Sequence, residues 1–561
     1  MPDRVLAKDA IKGGQGGGAA GIQTGVLFRL RCFLVTCVVY LDAFRLAPKP
    51  FLTATKWRVR GKRMRARGQF APLLNHSRWA YRLWMMRREG EDTANTVRDQ
   101  PAFPIIALLD ATGNIPREGL DRTLACLRSL GVPNIVVGAP GETCWNAVAD
   151  QIDWTQQPWL LPIQAGDTLA GKAIATYRGA IAQGERNVVY ADDDLLGRGN
   201  TRCNPHFKPA WNAPLFNHWD YLSGACIVRA SAVDLISLAL APDWPETLVR
   251  RVIASAAKAP LHVAAVLHHR QRRPLPRLPA QPVALLSELP PMSVIIPTRN
   301  RVDLLRNCID GLAKTQYPDM EVIVVDNDSD EPETLAYLAR LDAARYRVLH
   351  YPGPYNYPAI NNRAVEHAGG RLICLLNNDI EMLDSNWLAI MASSAVRPDV
   401  GAVGARLLYP DGRIQHAGVV LGISAAAAHA HRLIDPESTG YFSRHNLPQF
   451  VSAVTAACLV VSREKYLTVG MMDETAFPVA FNDVDLCLKL NERGWQSFYE
   501  PRATLIHHES LSRGHDHDPV GAARLARELV VLRQRWGTDR LVDPFHHPEL
   551  SRDGERFAIA M

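Results

Sequence analysis

Two long segments of the chain repeat one succession of hydrophobic and polar patterns. In each, an apolar run rich in β-branched residues precedes a segment with apolar residues at helical spacing, and a second apolar run follows. Such runs predict buried strands, and the helical spacing predicts helices that cover them. The matching pieces are FPIIALLDATGN (103–114) with MSVIIPTRNR (292–301), LDRTLACLRSLG (120–131) with VDLLRNCIDGLAK (302–314), and NIVVGAP with EVIVVDNDS.

The ends of the two segments also match. GACIVRAS (224–231) corresponds to AACLVVSR (456–463), and AVLHH (265–269) corresponds to TLIHH (504–508). A repeat of this length predicts one ancestral domain that was duplicated. Alternation of strands and helices predicts the α/β class, with two tandem domains built on mostly parallel central sheets.

A proline-rich segment separates the two repeats. RRPLPRLPAQPVALLSELPP (272–291) contains six prolines and no glycine, a composition typical of a semi-extended linker. We therefore expect the following division: an N-terminal region at 1–94, a first domain at 95–272, a linker at 273–289, a second domain at 290–515, and a C-terminal helix and tail at 516–561.

The N-terminal region carries the positive charge of the chain. The net charge is +6, but residues 1–90 carry +14 and the remainder −8. The glycine-rich tract 13–21 is predicted to be disordered. An apolar segment (25–44) precedes the basic run KWRVRGKRMRARG (56–68), and its uninterrupted core, Cys32 to Leu41, is too short to span a bilayer.

This pairing predicts a basic helical extension that lies at the inner face of the cytoplasmic membrane. A spanning helix, a solvated basic linker and a nucleic-acid tail are the alternatives; we expect no nucleic-acid partner. The ten cysteines are scattered without a CxxC pair, which indicates thiols in a reducing compartment and hence a cytoplasmic protein.

Polar residues cluster after the apolar runs of the second domain. In open α/β sheets, ligands bind at the carboxyl ends of the strands. A single aspartate there is more often a turn residue or a helix cap, but several such positions in one domain favour a site for a divalent cation, a diphosphate and a general base. The residues are Pro297, Thr298, Arg299 and Asn300; Asp326, Asn327 and Asp328; Asn377, Asn378 and Asp379; and, downstream, Asp483, Asp485, His507 and His508.

Residues 292–545 resemble the glycosyltransferases of family 2, which have the GT-A fold. The resemblance rests on SVIIPTRNR, VIVVDNDS, PYNYPAINNRAVEHAGGRLICLLNNDIE, LLYPDGRIQHAGVVLG, FNDVDLCLKLNERGW and HHESLSRG. The tail LRQRWGTDRLVDPFHHPELS (532–551) is similar to bacterial tandem-domain members, rhamnosyltransferase-like, that build O-antigens and other surface polysaccharides.

The resemblance implies roles for individual residues. It places Asp379 and His507 at Mg²⁺ or Mn²⁺ and makes Asp483 the catalytic base, with Asp485 and His508 as secondary candidates. It implies that the nucleotide-sugar donor contacts Pro297, Thr298, Asn300, Asp326, Asn327, Asn361, Asn377 and Asn378.

The sequence departs from the family pattern at two acids. Asn377 replaces the first acid of the DxD metal motif, and Asn482 replaces the acid before Asp483. The first change leaves one formal negative charge, so we expect modest metal affinity without the nucleotide. The implied reaction is inverting transfer of a sugar to a hydroxyl of a growing polysaccharide or lipid-linked glycan.

The first domain lacks most of this chemistry. Its second strand leads into Gly138 rather than an acid, and Pro245 and Thr247 lie opposite the base position. Asp167, in the sequence QAGD, retains the metal-motif acid. The run YADDD, with Asp192, Asp193 and Asp194, lies some 25 residues later, so we expect it to form an acceptor-side or structural turn beside Lys208 rather than the metal site.

Four readings of function are open. The first domain is a degenerate copy that positions the acceptor, or it is a second active transferase, which would make the chain bifunctional. In a rival reading both domains are degenerate and the protein binds glycans or nucleotides without catalysis. A nucleotidyltransferase is a weaker option, because NDVDLCLKL followed by HHES has no role there.

Overall fold

The computed structural model describes residues 19–89, 103–112, 116–138, 144–239, 241–279, 285–508 and 519–561. Several sequence predictions fall partly outside these ranges: the disordered tract at residues 13–18, the linker at residues 280–284, and residues 509–514 of the HHESLSRG motif.

Four helices form the N-terminal extension, as the sequence predicts. They are α1 (Ala19–Leu46), α2 (Pro48–Val59), α3 (Arg63–Asn75) and α4 (Ala80–Arg88). Proline suits the start of α2, because the first helical residue needs no amide hydrogen. The helices share a small core that includes Val39, Ala54 and Phe70. Within the residues described, no helix combines the length and apolarity that crossing a bilayer requires.

The first sheet has eight strands and lies between residues 105 and 270. Its strands are β1 (Ile105–Asp110), β2 (Asn134–Val137), β3 (Trp159–Gln164), β4 (Thr168–Leu169), β5 (Val188–Leu196), β6 (Arg202–His206), β7 (Cys226–Val228) and β8 (Leu261–Arg270). The helices beside it are α5 (Arg117–Ser129), α6 (Trp145–Ala149), α7 (Ala173–Ala182), α8 (Ala213–His218), α9 (Ala232–Ile236) and α10 (Trp244–Ser255).

The second sheet has ten strands. These are β9 (Met292–Thr298), β10 (Met320–Asp326), β11 (Tyr346–His350), β12 (Leu372–Leu376), β13 (Ile380–Met382), β14 (Val400–Leu408), β15 (Ile414–His416), β18 (Gln449–Val451), β19 (Cys458–Ser462) and β20 (Gln496–His507), while β16 (Val419–Leu421) and β17 (Ala427–His429) form a separate pair. The helices are α11 (Val302–Lys314), α12 (Pro332–Leu338), α13 (Tyr357–Glu366), α14 (Trp387–Ala395), α15 (Arg463–Thr468), α16 (Asn482–Glu492) and α17 (Pro519–Trp536).

The periodicity of the sequence explains these elements. Every residue of β9 is buried, because helices cover both faces of the sheet. The buried residues of α11 include Leu305, Cys308, Ile309 and Leu312, which recur every three to four positions and form the stripe that packs on the sheet.

The two sheets have the same strand order. The first runs β2-β1-β3-β7-β5-β8-β4 and the second runs β10-β9-β12-β19-β14-β20-β13, with β11 added at one edge. Parallel and antiparallel pairs also coincide: β1 with β3 and β9 with β12 are parallel, whereas β3 with β7 and β12 with β19 are antiparallel. The α/β fold with two GT-A-like units is thus confirmed. Each sheet is mixed, however, and parallel pairing prevails only around β1 in the first sheet and around β9 in the second.

The C-terminal segment and the loop before β18 join the two halves. The side chain of Asn212 donates to the carbonyl oxygen of Phe450 at 2.9 Å and accepts from its amide at 3.1 Å. The Tyr441 hydroxyl donates to the Phe207 carbonyl at 2.8 Å. These contacts hold the segment between β6 and α8 against the second half of the chain.

Candidate functional site

A cavity of about 410 Å³ opens at the carboxyl end of β12 in the second sheet. The turn between β12 and β13 forms one wall, and the start of α16 forms another. Four of the predicted site residues line it: Asn377, Asp379, Asp483 and His507. Further walls come from β16, β17 and the segment before β19, through Val419, Ala427, Ala428, His429, Thr455, Ala456 and Ala457.

Asp379 and His507 face each other in this cavity. Nε2 of His507 lies 3.2 Å from Oδ1 of Asp379, a buried carboxylate oxygen that has no hydrogen-bond partner among the described residues. Nδ1 of His507 lies 2.7 Å from Oε1 of Gln415, so Nδ1 carries the proton and donates it. Nε2 therefore presents a lone pair toward a carboxylate oxygen, an arrangement that suits a bound divalent cation.

The two asparagines of the same turn supply amide hydrogens. Nδ2 of Asn377 lies 3.4 Å from Nε2 of His507, which fits an unprotonated Nε2. Nδ2 of Asn378 donates to the Thr298 hydroxyl at 2.9 Å and so ties the turn to the end of β9. An ionised aspartate at position 377 could not donate to Nε2 of His507, which gives the departure from the DxD pattern a structural reason.

The ends of β9 and β10 are joined by Asn300. Its side chain donates to Asp330 at 2.6 Å and accepts from the amides of Asp330 and Glu331. Pro297 lies at the end of β9, opposite Val325 of β10. Asp326 is buried at the end of β10, where it accepts the Ser329 amide at 3.2 Å and lies 3.8 Å from His350.

Asn327 and Asn361, two further residues predicted to contact the nucleotide sugar, have buried side-chain amides. Nδ2 of Asn327 donates to the carbonyl oxygens of Tyr351 and Gly353, and Nδ2 of Asn361 donates to that of Tyr357 at 2.8 Å. The Oδ1 atoms of both asparagines have no partner among the described residues. Of the residues predicted to contact the nucleotide sugar, only Asn377 lines the 410 Å³ cavity. The others lie at neighbouring strand ends or inside α13.

Asp483 and Asp485 have different surroundings on α16. Asp483 lies in the first turn, where the helix dipole favours negative charge, and it accepts the Ala456 amide at 3.1 Å while lining the cavity. Asp485 is 0% exposed and accepts from Arg535 at 2.8 Å and from the Trp536 indole at 2.9 Å. Asp485 therefore anchors α17, and Asp483 is the carboxylate that faces the cavity.

Asn482 and Glu528 hold the segment that leads into α16. Nδ2 of Asn482 donates to the Val479 carbonyl at 2.9 Å, which a carboxylate could not do. The buried carboxylate of Glu528, on α17, accepts the amides of Val479 and Ala480 at 3.1 and 3.0 Å. Glu528 and Gln415 were not predicted from the sequence, because nothing in the local pattern shows which distant segment a buried polar residue supports.

A pair of histidines lies beside the cavity. Nε2 of His416 lies 3.3 Å from the Gly418 amide and 3.5 Å from the Thr455 amide, which donate to it, and its Nδ1 lies 2.8 Å from Nδ1 of His429. Burial lowers the pKa of His416 well below its usual value, and His429 and His507 add to this. His416 is therefore neutral and orients His429, which lines the cavity.

His508, the remaining secondary candidate, points away from the Asp379 carboxylate. Its Nε2 lies 2.9 Å from Oε2 of Glu381, and its backbone amide donates to the Asp379 carbonyl at 3.0 Å. These contacts fix the turn between β12 and β13 against the end of β20.

The three consecutive aspartates lie on strand β5, so the expected turn is wrong. Each is fully buried and paired, and their partners come from several parts of the chain. Asp192 contacts the Lys208 amide, His262 and His547; Asp193 contacts Lys208, Arg270 and Arg273; and Asp194 contacts Tyr81, Arg202 and His269. The run joins the N-terminal helices, the first sheet and the C-terminal segment.

Asp192, His262 and His547 bring three possible ligand atoms within 4.8 Å of one another. Nδ1 of His547, however, accepts the Glu549 amide at 3.0 Å, so the proton lies on Nε2, 2.8 Å from Asp192. Nε2 therefore has no lone pair for a metal in this tautomer. Oδ2 of Asp192 and Nε2 of His547 form an ion-pair contact without hydrogen-bond geometry, since neither atom has a hydrogen-bond partner among the described residues, and the Glu549 amide on Nδ1 makes Asp379 with His507 the better cation site.

Comparison with known proteins places the second domain in a family. Residues 293–463 match the family model described as glycosyl transferase family 2. The chain therefore carries a domain of this family, and the class of enzyme that it defines is the glycosyltransferases. This confirms the resemblance predicted from the sequence.

Relatives extend the similarity into the first domain. The chain is 37% identical over 425 residues to an uncharacterized protein of Sinorhizobium fredii, covering 68% of this chain and 47% of that protein. It is 34% identical over 448 residues to the O-antigen biosynthesis protein RfbC of Myxococcus xanthus, covering 70% of this chain and 35% of RfbC. This chain thus spans less than half the length of either relative.

A further relative matches a shorter stretch of the chain. The N-acetylglucosaminyl-diphospho-decaprenol L-rhamnosyltransferase of Mycobacterium tuberculosis is 26% identical over 239 residues, which is 39% of this chain and 76% of that enzyme.

Proposed function

We propose that the second domain transfers a sugar, with inversion, from a nucleotide-sugar donor to a hydroxyl of a growing polysaccharide or lipid-linked glycan. The observation that carries the proposal is the placement of Asp379, His507 and Asp483 around one cavity at the carboxyl end of β12. Such a reaction needs ligands for a cation and a separate carboxylate that acts as the general base.

Asp379 and His507 would hold Mg²⁺ or Mn²⁺, which would supply positive charge for the departing diphosphate. Gln415 fixes the tautomer of His507 that keeps Nε2 free for the ion. The amide of Asn377 faces the same space and is suited to a diphosphate oxygen. Asp326 and Asn327, at the end of β10, are proposed contacts of the nucleoside, for which Asn327 retains an unpartnered buried oxygen.

Asp483 would take the proton of the acceptor hydroxyl as its oxygen attacks the anomeric carbon. One base is sufficient for inversion, whereas retention by double displacement requires a nucleophile beneath the sugar. The Ala456 amide orients the Asp483 carboxylate, and Glu528 and Asn482 fix the segment that precedes it. His429 lines the acceptor side of the cavity.

The first domain is proposed to be a degenerate duplicate that no longer catalyses transfer. Its sheet has the strand order of the second, yet its base position, Pro245 and Thr247, offers no carboxylate. A bifunctional chain is the alternative. If separate Asp167→Ala and Asp379→Ala variants each lost a different sugar from the glycan products, both domains would be active.

We also propose that the N-terminal helices bring the enzyme to lipid-linked acceptors at the cytoplasmic membrane face. Helix α1 exposes Leu30, Phe33 and Leu34 beside exposed Arg29 and Arg31. This combination suits an anionic surface. Membrane association predicts that the protein sediments with phosphatidylglycerol vesicles but not with phosphatidylcholine vesicles. A Phe33→Glu/Leu34→Glu variant should no longer sediment, and equal binding by this variant would contradict the proposal.

Release of nucleoside diphosphate from a panel of sugar nucleotides tests the catalytic proposal. With Mn²⁺ the full chain should turn over at least one donor, and both Asp379→Ala and Asp483→Asn should abolish the turnover. Binding of a donor by calorimetry without metal-dependent turnover, with or without glycan acceptors, would favour a non-catalytic binding protein.

A further inference from the structure

The first sheet has its own cavity at its carboxyl end. Its volume is about 390 Å³, close to that of the cavity in the second domain. Asp110 at the end of β1 and Gln164 at the end of β3 line it, together with Arg270 at the end of β8 and Arg272 and Arg273 just beyond. Nothing in the proposed catalytic reaction uses this cavity.

Arg270 is a buried cation whose charge is poorly matched. The residue is 7% exposed, and its Nε has no hydrogen-bond partner among the described residues. The nearest carboxylate oxygens lie 3.7 Å away on Asp167 and 3.9 Å away on Asp193, beyond hydrogen-bond distance. A guanidinium that is buried without close partners is costly unless an anion completes it.

Arg270 shares its nearest carboxylates with other cations. Lys208 and Arg273 both contact Asp193, through Nζ at 2.8 Å and through Nε, and Nη1 of Arg273 also lacks a partner among the described residues. Lys208, Arg270 and Arg273 thus lie around Asp193 and Asp167, and Asp192 accepts the Lys208 amide. Burial raises the pKa of Asp167 to about 7, which weakens its negative charge further.

The other acids of the cavity are occupied by local partners. Asp110 accepts from Thr112, Asp220 from the Ser223 amide and hydroxyl, and Glu246 pairs with Arg250 and Arg277. Asp243 is exposed at the rim. None of the contacts described for these acids reaches Arg270.

Arg270 lies beside the position that holds the proposed metal site in the second domain. Asp167 directly precedes β4 as Asp379 directly precedes β13, and the first residues of these strands pair with His269 and His507 respectively. Where the second domain offers a carboxylate and an imidazole lone pair to a cation, the first offers a carboxylate and a guanidinium. Arg270 thus brings a positive charge to Asp167, whereas His507 brings a lone pair to Asp379.

We propose that this cavity binds the diphosphate group of a sugar diphosphate directly through Arg270, without a metal ion. Arginine is suited to phosphate oxygens, because its planar fork donates two parallel hydrogen bonds. The shared chemistry is a diphosphate that links a sugar either to a nucleoside or to a lipid. The proposal does not require the second domain to be catalytic, since none of its residues takes part.

Calorimetric titration of inorganic diphosphate into the full chain tests this site. The protein carries Asp379→Ala and the buffer contains EDTA, so that the proposed metal-dependent site is silent. We expect one saturable binding event per chain. Arg270→Gln should weaken it about tenfold or more, the factor that a lost hydrogen bond to a charged group carries, and Arg272→Gln, at the exposed rim, should weaken it about threefold.

Arg128→Gln, an exposed change on α5, is the matched control and should leave the affinity unchanged. Circular dichroism checks that each variant folds. If Arg270→Gln does not fold, the diphosphate site is tested by the affinity of Arg272→Gln and by the loss of affinity with added salt. Absence of saturable binding, or unchanged affinity in the folded Arg270→Gln or Arg272→Gln protein, would overturn the proposal.

Competition then distinguishes the two sources of the diphosphate. Uridine, guanosine and thymidine diphosphates represent nucleotide donors, and farnesyl diphosphate represents lipid-linked acceptors. Displacement of inorganic diphosphate by either class supports the site and identifies its ligand class. Failure of both classes to displace it would contradict a site for sugar diphosphates.

Discussion

Nε2 of His507 lies 3.2 Å from Oδ1 of Asp379, while Nδ1 of the same ring donates to Gln415. Neutral His507 therefore has no proton on Nε2 and cannot donate a hydrogen bond to the Asp379 carboxylate. A divalent cation between the two atoms would satisfy both. This relationship makes the turn after β12 the proposed metal centre and gives Gln415 a function.

Gln415→Leu should weaken the metal site without removing a ligand. The ring of His507 would lose the acceptor that fixes its tautomer, and loss of such support typically costs about 10–100-fold in metal affinity or activity. The Mn²⁺ concentration for half-maximal turnover is the measurement. Gln415→Glu, which retains an acceptor, should be closer to wild type; equal Mn²⁺ requirements for wild type and Gln415→Leu would refute this role.

Asp483→Asn and Asp485→Asn form a matched pair on one helix. The first should lower kcat by about 10²–10⁴, the usual contribution of general base catalysis, while the melting temperature stays near that of wild type. The second should destabilise the fold by about 1–3 kcal/mol, because Arg535 and Trp536 lose a charged acceptor, with most of kcat retained. The reverse result, with Asp485→Asn inactive and Asp483→Asn active, would assign the base to Asp485.

Glu528 acts on the site from α17 and should position Asp483. Glu528→Ala removes the acceptor for the Val479 and Ala480 amides, so we expect kcat to fall about tenfold with a smaller change in donor KM. Glu528→Gln keeps one acceptor oxygen and should recover part of kcat. The exposed neighbour Arg527→Gln serves as the control, and a kcat unchanged in folded Glu528→Ala would exclude the positioning role.

Stability should fall as the pH drops below about 6.5, the usual pKa of histidine. Burial lowers the pKa of several histidines in the fold, so below pH 6.5 the unfolded chain binds protons that the folded chain does not. The group comprises His206, His262, His268, His431 and His546, for the last of which burial lowers the pKa to about 3.

The urea midpoint should therefore be lower at pH 5.5 than at pH 7.5. Asp167 and Asp543 oppose the trend, because burial raises the pKa of both and the folded state keeps protons that the unfolded state releases, but they are two groups against several. His546→Gln should reduce the change of the urea midpoint between pH 7.5 and pH 5.5, whereas the exposed change His350→Gln should not. A midpoint that is constant or rises toward pH 5.5 would contradict the account.

The strands and their polar ends could be predicted from sequence because both follow from local pattern. Buried strands such as β9 are continuous apolar runs, and the residues that follow them, such as Asp379, meet at one edge of the sheet. Spacing on α16 likewise separates Asp483 from Asp485, since two residues on a helix are about 200° apart.

Contacts between distant segments could not be predicted in this way. The Asp192–Asp194 run lies in a strand because aspartate is tolerated there when every carboxylate is paired, and its partners include Tyr81 and His547, more than 100 residues away. Gln415 and Glu528 were missed for the same reason. Their roles depend on which segments pack together, and a single sequence does not carry that information.

Mn²⁺ binding in the presence of nucleoside diphosphate tests the location of the metal most directly. Electron paramagnetic resonance would count bound Mn²⁺ in the wild type, Asp379→Ala and Asp192→Asn proteins, with uridine, guanosine and thymidine diphosphates supplied in turn. We expect one nucleotide-dependent Mn²⁺ per chain, lost in Asp379→Ala and retained in folded Asp192→Asn. Retention in Asp379→Ala together with loss in Asp192→Asn would place the metal at the aspartate run and contradict the account.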